Sequence, residues 1–277
     1  MITQKGQTEV KTAWDAIATG YDEYVTPTHI WLANEGLRRA NVRPGIRFLD
    51  VAAGTGALSI PAAHLGAEVL STDISPKMLG RLKKRALAEG LTTVETRVMD
   101  GHNLELEKNA FDVTGSQFGV MLFPDLPKGL REMARVTKPG GRVFVIAFGN
   151  PAEVEFIGFF MEAMHAVVPG FTGLPMDPPP LPFQVADPEK LREEMAGAGL
   201  KNVQVETITE KLEFESGGQM WDWLLNSNPI SGMLVAGLTD YQKSSVRKEL
   251  DRLLSIRSDG KKFAVLTNPV NIGVGVK

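Results

Sequence analysis

Gly45-Ile46-Arg47-Phe48-Leu49-Asp50-Val51-Ala52-Ala53-Gly54-Thr55-Gly56 is the stretch from which the rest of the chain is read. Ile46, Phe48, Leu49 and Val51 predict a strand buried on both faces, as in a parallel sheet. The glycines after it let the backbone pass close to a ligand where a Cβ would collide. A helix is expected to start near Ala57.

A glycine turn between strand and helix suits a nucleotide, because a pyrophosphate rests well on a helix N-terminus. Here Ser59 takes the place of the third glycine of G-x-G-x-x-G, and Asp50 stands just before the turn. A carboxylate there repels a pyrophosphate, yet it accepts hydrogen bonds, directly or through water, from an α-ammonium group. The turn therefore favours S-adenosylmethionine (SAM), with a nicotinamide dinucleotide as the alternative.

The 277 residues suggest a single α/β core carrying insertions. Hydrophobic residues make up 43% and charged residues 23%, so no disorder is expected. A formal charge of −3 offers no field for a polyanion, which argues against nucleic acid as a partner. Cysteine is absent, excluding disulfides and thiolate chemistry. His29, His64, His102 and His165 lack paired ligand spacing, so no metal is expected. Met1 to Val10 is polar, and no apolar run approaches the ~20 residues of a membrane span. A cytoplasmic location is expected. Oligomeric state does not follow from the residues.

Strands are predicted at Ile46–Val51, Glu68–Thr72, Thr93–Met99, Phe111–Ser116 and Arg142–Ala147, with helices at Leu58–Leu65, Pro76–Glu89 and Leu126–Val136 between them. Ser75 before Pro76 is a helix start and Gly90 a stop. Lys138-Pro139-Gly140-Gly141 reads as the turn into the fifth strand. Beyond Gly149 come a helix at Glu153–Val167 and a proline run, Leu174 to Pro182, expected to cross the surface extended. A helix Pro188–Ala198, a strand Val203–Thr209, helices within Ser216–Lys261 and a last strand Val270–Val274 complete the reading.

Ligand-facing residues are expected at the carboxyl ends of these strands. After the Asp50–Gly56 turn (Asp50, Ala52, Ala53, Gly54, Thr55, Gly56) comes Asp73, spaced to bind ribose hydroxyls, though an Asp there also serves as an ordinary helix cap. Asp100-Gly101-His102 places a carboxylate and a bare backbone where an adenine amine would lie. The same residues also make a plain solvated turn. Ser116-Gln117-Phe118-Gly119 ends the fourth strand, with Gln117 and Phe118 toward the cleft, and Ile74 and Met78 offer apolar walls.

Together these segments resemble the class I SAM-dependent methyltransferases, most closely the small-molecule branch with the UbiE-like enzymes of quinone biosynthesis. The resemblance rests on Leu49 to Gly56, Asp73 to Leu79, Asp100-Gly101, Phe111-Asp112-Val113 through Phe123-Pro124-Asp125, and Lys138 to Gly141, in family order over roughly residues 10–148. It implies an α/β fold with a Rossmann-like seven-stranded sheet, the seventh strand antiparallel. It also implies SAM as cofactor and S-adenosylhomocysteine as product, with Asp73 on the ribose, Asp100 near the adenine, and the Gly54 and Gln117 backbones near the methionine portion. Trp14-Asp15 to Gly20-Tyr21-Asp22 resembles the family's N-terminal cover, whose tyrosine lies beside the cofactor. Tyr21 or Tyr24 facing a sulfonium would favour its charge.

The expected divisions are an N-terminal helical cover (1–42), the SAM-binding core (43–149), a lid insertion after the fifth strand (150–186), continued core (187–215), a helical lid insertion between the sixth and seventh strands (216–262), and a final core strand (263–277). Phe156, Phe159, Phe160, Met161, Met164, Phe171, Trp221 and Trp223 are expected to line an acceptor pocket, although most of the aromatics suit plain core packing better. The expected reaction is in-line methyl transfer to a small-molecule acceptor, driven mainly by orientation. A base is optional, and His165, His29, His102 and Asp22 are the candidates, His165 for its place in the first insertion; His165 and Tyr21, the latter for its place beside the cofactor, are the catalytic residues expected. The alternatives are a nicotinamide-dependent oxidoreductase and a SAM-binding protein without turnover.

Overall fold

The computed structural model describes residues 4–173 and 179–277. Helix α1 (Gln4–Gly20) passes through a π-helical turn (Tyr21–Val25) into α2 (Thr26–Arg39). The core then alternates β1 (Arg47–Val51), α3 (Ser59–His64), β2 (Glu68–Asp73), α4 (Pro76–Ala88), β3 (Val94–Val98), β4 (Phe111–Gln117), α5 (Leu126–Val136) and β5 (Thr137–Phe148). There follow α6 (Glu155–Val167), α7 (Pro188–Gly197), β6 (Lys201–Phe214), α8 (Gly217–Ser227), α9 (Pro229–Val235), α10 (Asp240–Ser258) and β7 (Ala264–Val276).

The strands form one seven-stranded sheet in the order β3-β2-β1-β4-β5-β7-β6. Pairing is parallel from β3 to β5, and β7 runs antiparallel to both β5 and β6. Phe48, Leu49 and Val51 of β1 and Val143 to Ala147 of β5 are fully buried, as strands covered on both faces require. Each covering helix presents an apolar stripe: Met78, Leu79, Leu82 and Ala86 on α4, and Leu126, Leu130, Met133 and Ala134 on α5. The Ser75 hydroxyl caps α4 by accepting from the Met78 N–H, and Gly90, at φ +69°, closes it.

A second apolar core lies apart from the sheet. Val154, Phe156, Phe160 and Met164 meet Trp221, Trp223 and Leu224, with Leu250, Leu253 and Leu254 behind them. It forms because β6 and β7 continue beyond the end of β5 as a two-stranded ribbon, pairing Thr209 to Phe214 with Ala264 to Pro269. Leu212, Phe214, Ala264 and Leu266 on that ribbon complete the cluster.

Several boundaries differ from the sequence reading. β6 and β7 are longer than predicted at both ends. Pro269, a strand breaker by rule, is accommodated because its carbonyl accepts from Gly149 N–H, so its missing N–H falls on the side where β5 ends. The Lys138–Gly141 turn lies within β5 as an irregularity, where the register jumps between Phe111 and Val113 and Gly140 adopts φ +78°. Helix α3 starts at Ser59, one residue later than the predicted Leu58. Leu174 to Pro178 of the proline run lie outside the described residues. Its end is not extended: Leu181–Phe183 form a 3-10 turn, with Pro182 in its first turn, where the missing N–H is not needed. Among the described residues no helix is long and apolar enough to cross a membrane.

Candidate functional site

At the carboxyl end of β1 the chain enters the turn with Ala52 at φ +57° and Gly54 at φ +54°. The Gly54 N–H donates to Asp73 Oδ2 at 2.8 Å, and the Ser75 N–H donates to Asp73 Oδ1 at 2.8 Å. The Asp73 carboxylate is thus fastened across the gap between the ends of β1 and β2. Burial pushes it up to about 6, against the pull of those backbone donors.

A cleft runs along this edge of the sheet, lined by Tyr21, Ala52, Gly54, Asp73, Ile74, Met78, Asp100, Gly101, His102, Gln117 and Phe118. From the end of β3 to the end of β4 is three strand spacings, roughly 14 Å, the reach of an extended nucleoside joined to an amino acid. Asp100 and His102 mark one end. His102 Nδ1 lies 2.8 Å from Asp100 Oδ1, its ring lies 4.5 Å from that of Phe123, and the hydrogen bond holds the Asp100 carboxyl below its usual range. Gln117 marks the other end, donating from Nε2 to the His29 carbonyl at 3.0 Å.

Two buried polar atoms on these walls have no protein partner among the described residues: His102 Nε2 and Gln117 Oε1. Leaving such atoms unpaired costs about 1–3 kcal/mol each. A ligand bearing polar groups at both ends, such as SAM, would satisfy them. The residues present therefore fit that cofactor.

Other residues singled out in the sequence lie elsewhere. Asp50 does not line the cleft; it is buried behind the turn, where Ser59 Oγ donates to it at 2.5 Å and also meets Ser71 Oγ at 2.7 Å. Burial pushes its carboxyl up to about 7. Ser59, in the position of the third glycine, thus holds Asp50. Ala53 packs on Leu79 and Leu82, the Thr55 hydroxyl meets that of Thr26, and a Cβ on Gly56 would strike Leu82 at 2.8 Å. These residues build the turn from behind. A Cβ on Gly101 would come within 2.4 Å of the Phe123 ring, so this glycine serves that packing as well as the cleft.

His165 is exposed on α6, bonded through Nδ1 to the Met161 carbonyl and edge-on to Phe171, and it lines neither the cleft nor the cavity beside it. That cavity, of about 520 Å³, is lined by Phe156, Phe160, Met161 and Trp223 as expected, and also by His29, Phe148, Phe183, Ile230 and Leu234. Phe159, Met164, Phe171 and Trp221 pack instead in or against the second core. Two residues apart on a helix means about 200° of rotation, so Trp221 and Trp223 face opposite sides.

Trp14, Tyr21, Phe118 and Leu122 line both spaces. Phe118, at φ +53°, holds a conformation that costs a bulky side chain energy. Its ring is stacked 4.6 Å from Phe148 and lies 4.9 Å from His29. Tyr21 sits in the π-helical turn, edge-on to Trp14 and His29, and burial with the charges of Asp73 and Glu210 keeps its phenol protonated far above its usual range. The cover is pinned to the core: Asp15 accepts from Ser75 Oγ at 2.6 Å, and Arg85 pairs with Asp22. Sequence reading missed Met99, Leu122 and Leu181 on the cleft; the apolar residue ending β3 and those after β4 were the available signal.

Residues 2–176 match the model of the ubiE/COQ5 methyltransferase family. An uncharacterized Mycobacterium tuberculosis protein is 38% identical over 141 residues, 51% of this chain and 49% of that protein, so the chain spans about half the length of this relative. A demethylmenaquinone methyltransferase of Corynebacterium urealyticum is 32% identical over 219 residues, 74% of this chain and 91% of the relative. In fold the chain is similar to Haemonchus contortus phosphoethanolamine N-methyltransferase 2 in complex with SAM (TM-score 0.53, 20% identity, covering 89% of this chain and 52% of that one).

Proposed function

The chain belongs to the ubiE/COQ5 methyltransferase family, and from that premise we propose that it transfers the methyl group of SAM to a small, largely apolar, hydroxylated ring compound held in the 520 Å³ cavity. The observation that carries this reading is the shared wall. Because Tyr21 and Phe118 line both spaces, ligands in the two would meet at these rings. The acceptor class follows from the aromatic lining and is supported by the quinone named for the Corynebacterium relative. An open cavity of this size also favours turnover over mere cofactor binding.

Bound SAM supplies an electrophilic methyl on a sulfonium. Asp73 would hold its ribose hydroxyls, His102 and Asp100 would border the base, and Gln117 would accept from the amino-acid end. Tyr21 and Phe118 flank the reacting centre and exclude water. Residues 151–172 and 180–183, with 223–234, supply most of the acceptor wall and act as its lid. With a good leaving group already present, holding the acceptor in line is the main contribution, and orientation of this kind is worth up to ~7–11 kcal/mol. Incubation with methyl-labelled SAM and 1,4-dihydroxynaphthalene is expected to transfer label to the ring compound and release S-adenosylhomocysteine. Saturable SAM binding with no label in any hydroxylated ring probe would contradict the acceptor assignment.

A further inference from the structure

Among the described residues, His29 is the one histidine that lines the acceptor cavity. It is buried, 5% exposed, among the rings of Tyr21, Phe118 and Trp223. The residue lines the cavity, and among the described residues no hydrogen bond to either of its ring nitrogens is found. Its backbone carbonyl accepts from Gln117 Nε2, which ties the ring's position to the end of β4 in the cofactor cleft. A polar ring without a partner in an aromatic wall is costly to keep there unless a ligand meets it.

We infer that His29 is a catalytic residue that accepts the proton of the acceptor's ring hydroxyl during methyl transfer. The inference rests on the function proposed above. In the step, the acceptor O–H bond breaks and its proton passes to an imidazole nitrogen. The electron pair left behind drives bond formation from the oxygen, or from the ring carbon beside it, to the methyl carbon. The C–S bond breaks and its pair stays on sulfur, leaving neutral S-adenosylhomocysteine. Burial holds His29 down to about 4, so the free imidazole is neutral with its lone pair available. The imidazolium formed in the step stands beside a developing oxyanion, which offsets the burial that disfavours it alone. Tyr21, the titratable side chain whose ring faces it, keeps its own proton and does not compete.

The test uses the full chain with His29→Phe, which keeps an aromatic body, and His29→Gln, which keeps a polar one. In the complex with S-adenosylhomocysteine, 2-naphthol should bind His29→Phe about 5–20-fold more weakly than wild type, while naphthalene, lacking the hydroxyl, binds both alike. Single-turnover transfer to 1,4-dihydroxynaphthalene should fall 10²–10⁴-fold in His29→Phe, with SAM affinity within a factor of two. Wild-type rates in both variants, or an equal loss of naphthol and naphthalene binding, would overturn the role of His29 and leave the proposed function standing. Absence of transfer by the wild type overturns the proposed function and this inference with it.

Discussion

Asp73 ties the nucleotide turn to the second strand, and its chemistry sets two expectations. With Asp73 in the proposed role on the ribose, replacing it with Ala should cost about 1.5–3 kcal/mol, or roughly 10- to 150-fold in SAM affinity by titration calorimetry. Its carboxyl stands up at about 6, so protonation below that value removes the acceptor. SAM affinity should therefore weaken as pH falls from 7 to 5 in wild type and stay flat in Asp73→Ala; the same slope in both would remove Asp73 from the site. Glu210 presents the opposite case. It is buried on β6, its Oε1 unpartnered among the described residues, and burial pushes it up to about 8 from 4.5. The fold favours its neutral form, so its contribution is intact below 4.5 and is lost as pH rises toward 8. Glu210→Gln should melt several degrees above wild type at pH 8 and near it at pH 4.5. At this scale the sequence distinguished which strand ends carry polar groups. It did not distinguish Asp50, behind the turn, from Asp73, in the cleft, because the direction of a side chain in a tight turn depends on packing such as that of Ser59 on Asp50.

The alternation of helices and strands up to β5 was legible because buried parallel strands and capped amphipathic helices leave distinct periods. The β6–β7 ribbon was not. Glu210, Lys211 and Glu213 give β6 a polar reading, and only pairing with Thr267, Leu266 and neighbours makes it a strand. Helices α8 and α10 pack on one another through a close backbone contact. A Cβ on Gly217 would lie 2.3 Å from the Arg247 carbonyl oxygen and 2.5 Å from the Asp251 nitrogen, atoms that cannot move aside singly. Gly217→Ala should therefore separate α8 from α10 and cost about 1–3 kcal/mol, read as a fall of several degrees in melting temperature. An unchanged melt would mean that the two helices are not held in this register.

Across the whole molecule, two cores support two adjoining spaces. The sheet core supports the cleft, α6, α8 and α9 of the second core line the cavity, and α1 with the π-helical turn borders both. The glycine turn and the spacing of acidic residues made the first space legible. The second was foreseen only as a collection of aromatics, since a cavity between distant segments has no local period. Binding across so many elements should be felt globally: SAM at about 100 times its Kd should add about 2.7 kcal/mol and raise the melting temperature by roughly 5–10 °C. Absence of a shift at that saturation would mean that the ligand does not select this fold.

The most direct measurement is a crystal structure of the full chain with S-adenosylhomocysteine and 2-naphthol. The ribose hydroxyls are expected on Asp73, the sulfur beside Tyr21 and Phe118, and the naphthol across that wall with its oxygen toward His29. Ligand density absent from the cleft beside Gly54 and Asp73, or a sulfur directed away from the second cavity, would contradict the account.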